Sequence, residues 1–270
     1  MRVTRRDVAE GLKAAGVVCG DVAMLHSSLS SMGHVQGGAD AAIEGYLDAV
    51  GPEGTAAVPA LCRYPDEERP NAEARWDLRS TPCYTGRIPE TFRQRPDAWR
   101  SDHFTHSVAA VGPRAAELTA GHGACGLRPG PWGPKAFAAE SPWERFYRWD
   151  AAYCFLGVTF RVNTMVHLVE HMLVERALAG ASPATRPRRA AELSDWNHPG
   201  VWPRIAIEDR ELFQERLLRE GVVRQARIGC ATVLCARAKP MIERWLELAE
   251  SNPRRWCSAE FVAWRERCLG

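Results

Sequence analysis

Hydrophobic and polar positions along the chain alternate between a helical period and short apolar runs. Apolar residues three and four positions apart predict an amphipathic helix from Thr4 to Gly16. The apolar run 21–25 predicts a buried strand after it, and a second helix over 39–50 and a second strand over 55–61 follow. Helices that alternate with strands in this way favour an α/β fold with a largely parallel central sheet.

The same alternation continues to the end of the chain, with two polar interruptions. The later predicted elements are short helices over 88–95 and 115–120, strands over 108–111, 151–156 and 228–236, and helices that begin at Ser141, at 208 and at 240. The polar, proline-containing stretches 60–82 and 179–220 predict excursions over the surface. We therefore expect one domain over residues 1–270.

The segment Leu156–His171 has the most unusual distribution of polar residues. It follows a predicted buried strand, and Asn163 and Thr164 offer an N-cap for a helix. Apolar side chains cover most of that helix, and one polar strip remains. The strip consists of Thr164, His167, Glu170 and His171. Polar groups on a buried helix need partners or a cleft, so this strip is the first candidate for chemistry.

Two kinds of chemistry fit the strip, and the motif alone does not decide between them. The sequence HLVEH matches the H-x-x-E-H pattern of inverted zinc peptidases, in which His167 and His171 share a metal and Glu170 acts as the base. Without a metal, His167 is a general base that a carboxylate such as Glu170 holds in orientation. An isolated five-residue match is also common in buried helices whose polar groups are simply satisfied.

Two further polar loops are candidates for ligand binding. The triplet 105–107 (Thr-His-Ser) precedes a predicted strand and offers a base or donors to a thioester. The triplet 26–28 (His-Ser-Ser) is followed by glycines and a helix, as in an anion-binding loop. It matches neither the P-loop pattern nor the glycine spacing of dinucleotide folds, which disfavours an ATPase or a nicotinamide enzyme.

Composition narrows the class of protein further. The net charge of +2 over 270 residues argues against a nucleic-acid partner. Nine cysteines without a C-x-x-C pair favour reduced thiols in the cytoplasm over a zinc ribbon or a disulfide framework. No apolar stretch has the length of a signal peptide core or a membrane span. We expect a soluble cytoplasmic protein with no membrane partner.

Taken in order, the motifs resemble the aminoglycoside 3-N-acetyltransferase family, whose antibiotic N-acetyltransferase fold differs from that of the GCN5-related acetyltransferases. The motifs are HSSLSSMGHVQGGA (26–39), GPEGT (51–55), RSTPCYTGRIPETFR (79–93), FTHSVAAVGPRA (104–115), SPWERFYRWD (141–150), and LGV, NT, HL and EH within 156–171. The resemblance runs from about Thr4 to Leu178 and continues more loosely over 220–238. Several motifs in one order are far more specific than any of them alone.

The resemblance implies a layered α/β/α fold with a central, mostly parallel sheet and a smaller helical portion that flanks the substrate cleft. It implies transfer of an acetyl group from acetyl-CoA to an amine of a small cationic antibiotic, without a metal. His167 and Glu170 would form the catalytic pair, and His106 is a further catalytic candidate. The residues expected to bind CoA are His26, Ser27, Ser28, Leu29, Gly33, Val35, Gly37, Thr105 and Ser107.

Departures from the family pattern put the acceptor in question more than the reaction. Phe104 stands where the family commonly has proline, and Thr159 and Arg161 stand where a glycine and an acidic residue are expected. An arginine near the acceptor entrance disfavours a polycation. Carboxylates elsewhere would then bind it, and the candidates, all on the two excursions, are Asp66, Glu67, Glu73 and Asp195.

Two acyl-transfer hypotheses therefore remain. The first is acetylation of an aminoglycoside, at the 3-amino group of its deoxystreptamine ring, which gives antibiotic resistance. The second is an N-acyltransferase of secondary metabolism that takes a different amine. The expected assembly is a monomer or a homodimer.

Overall fold

The computed structural model describes residues 2–122 and 130–270. Within them the strands are β1 (Arg2–Val3), β2 (Val22–Ser27), β3 (His34–Val35), β4 (Thr55–Pro59), β5 (Trp99–Arg100), β6 (Val108–Val111), β7 (Ala152–Leu156), β8 (Val223–Ile228) and β9 (Ala231–Arg237). The helices are α1 (Arg5–Ala15), α2 (Gly38–Val50), α3 (Ala72–Arg75), α4 (Arg87–Arg93), α5 (Ala115–Thr119), α6 (Pro142–Arg148), α7 (Met165–Gly180), α8 (Arg186–Ala191), α9 (Ile207–Arg219), α10 (Ala238–Ser251), α11 (Pro253–Trp256) and α12 (Ala259–Leu269). Short 3-10 turns cover Ser30–Met32, Asp66–Asn71 and Phe160–Val162.

A seven-stranded sheet with the order β5-β6-β4-β2-β7-β9-β8 forms the centre of the fold. Strand β2 pairs in parallel with β4 on one side and with β7 on the other. The four outer pairings are antiparallel. The predicted α/β class is confirmed, but the expectation of a mostly parallel sheet holds only for its three central strands.

The two antiparallel strands that follow β7 in the sheet form a hairpin, which the pattern of apolar residues did not predict. The sequence predicted one strand over 228–236, whereas the structure has two strands, β8 and β9, joined at Gly229 and Cys230. Most side chains of the edge strand β8 are at least partly exposed, so its sequence VRQARI contains no apolar run. A hairpin needs only a short connection, and it therefore adds antiparallel strands where a crossover helix would add a parallel one.

Two apolar cores lie on the two faces of the sheet. On one face, α1, α2 and α4 cover alternate residues of the central strands, such as Ala23 and Leu25 of β2. On the other face, α6, α7, α9, α10 and α12 cover the intervening residues, such as Met24. This alternation follows from the two-residue period of a strand, and it produces the α/β/α layering. Among the described residues, no helix combines the length and apolar character needed to cross a membrane.

Helix α1 begins and ends where the sequence predicts. The Thr4 side chain accepts a hydrogen bond from the Asp7 amide, and the Asp7 carboxylate accepts one from the Thr4 amide, which completes a capping box. Gly16 ends the helix in the left-handed conformation, with φ of 116°. Local capping chemistry thus sets both ends of the element.

Helices α1 and α2 cross closely at Gly45. A Cβ atom on Gly45 would collide with the backbone oxygen of Arg5 and would lie 2.8 Å from Cβ of Val8. The same crossing carries a bidentate ion pair in which the Arg5 guanidinium donates to both oxygens of Asp48, one of them at 2.7 Å. The absence of a side chain at Gly45 therefore sets the distance between the two helices.

We predict that Gly45→Ala lowers the free energy of unfolding by about 1–3 kcal/mol, because the backbone of α1 cannot move aside without repacking. Urea unfolding measures the change. Gly180→Ala in α7 is the matched control, since its new Cβ meets only the end of the exposed Leu269 side chain, at 2.5 Å from Cδ2. That control should be neutral or stabilising by up to about 1 kcal/mol. Equal losses in both variants would refute the packing argument.

Candidate active site

A cavity of about 720 Å³, called here the main cavity, opens at the carboxyl ends of β2, β4 and β7. His26 and Ser27 line it from β2, and Thr164 and His167 line it from α7. Thr105 and His106 arrive from the loop before β6. Because β6 is antiparallel to β4, its amino end lies at the same edge as the carboxyl ends of the parallel strands. The loop 105–107 and helix α7 therefore meet across one opening.

His167 and Glu170 form a hydrogen-bonded pair, as the sequence predicts from their spacing. His167 Nδ1 lies 3.0 Å from Glu170 Oε2. The Glu170 side chain is buried, and its carboxylate also accepts hydrogen bonds from the Trp202 indole at 3.1 Å and from the Ile205 amide at 2.8 Å. Three donors from two parts of the chain thus hold this carboxylate in one orientation.

The partner of His167 determines which of its ring nitrogens carries the proton. A carboxylate only accepts, so Nδ1 bears the hydrogen and Nε2 keeps its lone pair. Burial lowers the pKa of His167 below its ordinary value, and the Glu170 carboxylate opposes that shift. The ring is therefore neutral at neutral pH, with an acceptor nitrogen on a residue that lines the main cavity. This is the arrangement that a general base requires.

His106 lies beside His167, with ring centroids 6.0 Å apart and the planes nearly perpendicular. The Thr105 hydroxyl donates its one hydrogen to the Trp132 carbonyl. In its second hydrogen bond, at 2.8 Å from His106 Nδ1, the hydroxyl oxygen is therefore the acceptor and Nδ1 carries the hydrogen. Burial, with the neighbouring His167, lowers the pKa of His106 far below its ordinary value. His106 is consequently a second neutral imidazole whose Nε2 is also an acceptor.

His103 and His122 are buried residues that the sequence analysis did not select. His103 Nδ1 accepts from the amides of Thr105 and His106, at 3.2 and 3.1 Å, and its Nε2 donates to the Pro134 carbonyl at 2.9 Å. Burial lowers the pKa of His103 to about 4, so it stays neutral and keeps accepting. The ring thereby fixes the backbone that presents His106. The only sequence signal for this role is its position three residues before His106.

Phe104, one of the residues that depart from the family pattern, lies behind the lining of the two cavities and is not part of it. Its side chain is buried and packs edge-on against Trp196, at 5.2 Å between ring centroids. Its carbonyl accepts from the Tyr64 hydroxyl at 2.9 Å. Phe104 therefore joins the two excursions, since Tyr64 belongs to the first and Trp196 to the second.

A second cavity of about 520 Å³ adjoins the main cavity, and Ser27 and Gly86 line both. Five of the residues predicted to bind CoA line the second cavity, namely Ser27, Ser28, Leu29, Gly33 and Val35. Its lining also includes Arg87, which the sequence analysis did not select. The Ser27 hydroxyl, at the junction, is buried and makes no hydrogen bond with the described residues. A buried donor without a partner fits a site that a ligand completes.

The other residues predicted to bind CoA have different surroundings. His26 lines the main cavity, stacks on Phe155 and lies 2.8 Å from the Tyr153 hydroxyl, and burial lowers its pKa to about 3. Ser107 is buried and donates to the Ala60 carbonyl at 2.7 Å, so its hydroxyl supports the loop from behind. Neither Ser107 nor Gly37 is among the lining residues of the two cavities.

Of the carboxylates predicted to bind substrate, Asp66 lines the main cavity. Glu67 and Glu73 are exposed and are not part of its lining. The Asp195 carboxylate accepts from the amides of Asn197 and His198, both at 2.7 Å, and so closes a turn of the second excursion. The structure therefore brings one of the four to the cavity.

Comparisons with known proteins agree with this geometry. The family model described as aminoglycoside 3-N-acetyltransferase matches residues 24–250. The chain is 32% identical to aminoglycoside N(3)-acetyltransferase III of a Salmonella species over 82% of this chain and 84% of that one. It is 27% identical to aminoglycoside N(3)-acetyltransferase IX of Micromonospora chalcea, with 91% and 94% covered.

Solved structures show the same fold at lower identity. A structure of AAC-IIIb in a binary complex with CoASH superposes with a TM-score of 0.72 at 22% identity, covering 96% of this chain and 99% of that one. A mutant of aminoglycoside acetyltransferase AAC(3)-IVa in complex with a gentamicin gives 0.73 at 22% identity, with 98% of both chains covered.

We predict that Glu170→Gln lowers the pKa of His167 further, because the carboxylate is what raises it against the effect of burial. Histidine NMR titration measures both values. In the parent protein the midpoint should lie below the ordinary value of about 6.5, and in the variant it should lie lower still. Glu175→Gln, on an exposed position of the same helix, is the control and should leave the midpoint in place. A rise in the Glu170→Gln variant would contradict the assigned pairing.

Proposed function

The chain belongs to the aminoglycoside 3-N-acetyltransferase family, and from that membership we propose that it transfers the acetyl group of acetyl-CoA to the 3-amino group of an aminoglycoside. The observation that carries the proposal is the His167–Glu170 pair in a cavity that continues at Ser27 into a second one. Two substrates can thus meet at one neutral imidazole. The transfer is direct, without an acyl-enzyme.

Acetyl-CoA, on this proposal, lies along the second cavity and extends its thioester past Ser27 into the main cavity. The guanidinium of Arg87 suits a phosphate of CoA, since arginine binds phosphate oxygens through two donors. The Ser27 hydroxyl is a free donor at the point where the thioester would enter. The AAC-IIIb structure, which shares this fold, contains CoASH.

The reaction needs a proton acceptor beside the acceptor amine. An ammonium group must lose a proton before its nitrogen can attack the thioester carbonyl, and His167 Nε2 takes that proton. The neutral amine forms the new N–C bond as the C–S bond breaks. The attacking nitrogen gives its second proton to the departing CoA thiolate, and His167 releases the proton that it took to solvent. The Glu170 carboxylate stabilises the imidazolium that His167 becomes.

The developing oxyanion requires a free donor. The sequence interpretation placed this role near Thr105 and Ser107, but both hydroxyls already donate to backbone carbonyls, of Trp132 and Ala60. We therefore assign the role to the Ser27 hydroxyl, which is buried and uncommitted among the described residues.

The zinc peptidase hypothesis finds no support in the surroundings of the H-x-x-E-H motif. Its required base, Glu170, is buried and holds hydrogen bonds from His167, Trp202 and the Ile205 amide. Nowhere in residues 2–122 and 130–270 do three His, Cys, Asp or Glu side chains come together as metal ligands.

The biological role follows from the product. Acetylation removes one positive charge from the antibiotic, which weakens its contacts with ribosomal RNA and gives resistance. We propose that the protein acts in the cytoplasm, where acetyl-CoA and ribosomes are found, as a monomer or homodimer.

The test is the release of CoA from acetyl-CoA in the presence of aminoglycosides, followed by thiol detection and by mass spectrometry of the product. A single added acetyl group, dependent on the acceptor, is expected. His167→Ala should lower turnover by roughly 10²–10⁴-fold, the usual scale for the loss of a general base, while acetyl-CoA still binds. His198→Ala, at an exposed histidine, is the matched control and should retain turnover.

Near-normal turnover in His167→Ala would remove this residue from its role and make His106 the next base to test. Failure of acetyl-CoA to bind the parent protein would overturn the proposed reaction itself.

A further inference from the structure

The wall of the main cavity away from the second cavity carries an excess of positive charge. Four arginines line the main cavity and none of them lines the second cavity: Arg63, Arg69, Arg161 and Arg210. Among the described lining residues, the only carboxylate is Asp66. The histidines that line the same cavity are neutral, because burial lowers the pKa of each of them. We call these four arginines the arginine wall.

Arg210 is the innermost member of the arginine wall. It lies in the first turns of α9, is only partly exposed, and donates from Nη1 to the Arg161 carbonyl at 3.2 Å. Its Nε is buried without a hydrogen-bond partner, and no carboxylate among the described residues forms an ion pair with it. Glu170 and Glu208 act on this guanidinium only through space, and Glu170 already accepts hydrogen bonds from three other donors. A largely buried guanidinium without a bonded carboxylate is costly, so this group fits a site that an anion completes.

The carboxylates around the arginine wall cancel only part of its charge. Glu211 pairs with Arg161 at 3.1 Å and also accepts from the Thr159 hydroxyl, and Asp209 pairs with Arg255 at 2.7 Å on the outer side. The Asp66 side chain is 96% exposed and lies 3.8 Å from Arg69, so solvent screens it.

Arg69, another member of the arginine wall, is held in place by contacts between the two excursions. The Arg69 guanidinium stacks on the Trp196 ring, 4.4 Å from its centroid, and donates to the Trp196 carbonyl at 3.2 Å. The Trp196 indole donates back to the Arg69 carbonyl at 3.3 Å. These contacts fix the position of a second cation in the lining of the main cavity.

We infer that the arginine wall is an anion subsite for the acceptor, so that the preferred acceptor is an aminoglycoside that carries a phosphate ester besides its amines. The inference rests on the proposed acetyl transfer at His167 and specifies its substrate class. A phosphate seated at Arg210 would meet its unpartnered Nε, while an amine of the same molecule lies at His167. An unmodified polycation would instead meet the excess of positive charge that remains after these ion pairs.

The phosphates of CoA are the other source of the same chemistry. They are disfavoured as occupants because the arginine wall lines only the main cavity, whereas Arg87 lies along the second cavity, where the sequence motifs place CoA. The experiment below distinguishes the two sources.

The test compares two acceptors that differ only by one O-phosphate group. The parent protein should show a kcat/KM at least about tenfold higher for the phosphorylated acceptor, which is the scale of one charge-assisted hydrogen bond. The difference should come from a lower KM for that acceptor. Arg210→Gln should abolish most of this preference, and Arg210→Lys should restore part of it. Arg216→Gln, on the same helix but paired with Glu220 away from the cavity, should keep the parent's preference.

Inorganic phosphate should compete with the acceptor and not with acetyl-CoA. Competition with acetyl-CoA, or a raised KM for acetyl-CoA in Arg210→Gln, would assign the arginines to CoA and overturn the inference. The inference would also be overturned if the parent protein preferred the unmodified acceptor and Arg210→Gln left that preference unchanged. In that case the proposed acetyl transfer would still stand.

Direct binding keeps the inference testable if no acceptor is turned over. Calorimetric titration with the phosphorylated aminoglycoside should show weaker binding by about tenfold or more in Arg210→Gln than in the parent. Weaker binding in the variant, with no turnover of any acceptor, would refute the proposed reaction but support the anion subsite. Absence of binding to the parent protein would refute the subsite.

Discussion

The buried carboxylate of Glu170 is the constraint on which the site depends. A charge at this depth is tolerable only when its lone pairs are satisfied, and three donors satisfy it: His167, the Trp202 indole and the Ile205 amide. Because two of these donors belong to the segment after α8, that segment must pack on α7 for the charge to stay buried. The same contacts orient the His167 ring, so the stability of the helical layer and the geometry of the proposed base depend on one group.

A second constraint is the mixed pairing of the sheet. Parallel strands bring β2 and β7 to one edge, where Ser27 ends one strand and Gly157 follows the other. The antiparallel β6 brings its amino end to that edge, with His106 just before it. A fully parallel sheet would direct the start of β6 to the opposite edge, away from α7. The antiparallel strand is therefore what allows two imidazoles from distant parts of the sequence to lie 6.0 Å apart between ring centroids.

The sequence predicted those parts of the site that depend on local spacing. The strip with His167 and Glu170 follows from helical periodicity, and the ends of α1 follow from capping chemistry at Thr4 and Gly16. Contacts between distant segments were not predictable in this way. Ser107 was selected for its hydroxyl, but that hydroxyl supports Ala60, a pairing that depends on sheet register. His103 was overlooked because its role is to accept two backbone amides, which no side-chain pattern reveals.

Burial also explains how several histidines coexist beside one base. Three of the buried rings are held in one tautomer by a partner that can only accept: Glu170 accepts from His167, the Pro134 carbonyl accepts from His103, and the Ala136 carbonyl accepts from His122. Burial lowers the pKa of His103 and His122, so neither competes for a proton that enters the cavity. His167 differs in having a carboxylate as its partner, and a carboxylate favours the imidazolium. In the proposed reaction, a proton taken from a substrate amine is therefore most stable on His167, while the neighbouring rings stay uncharged.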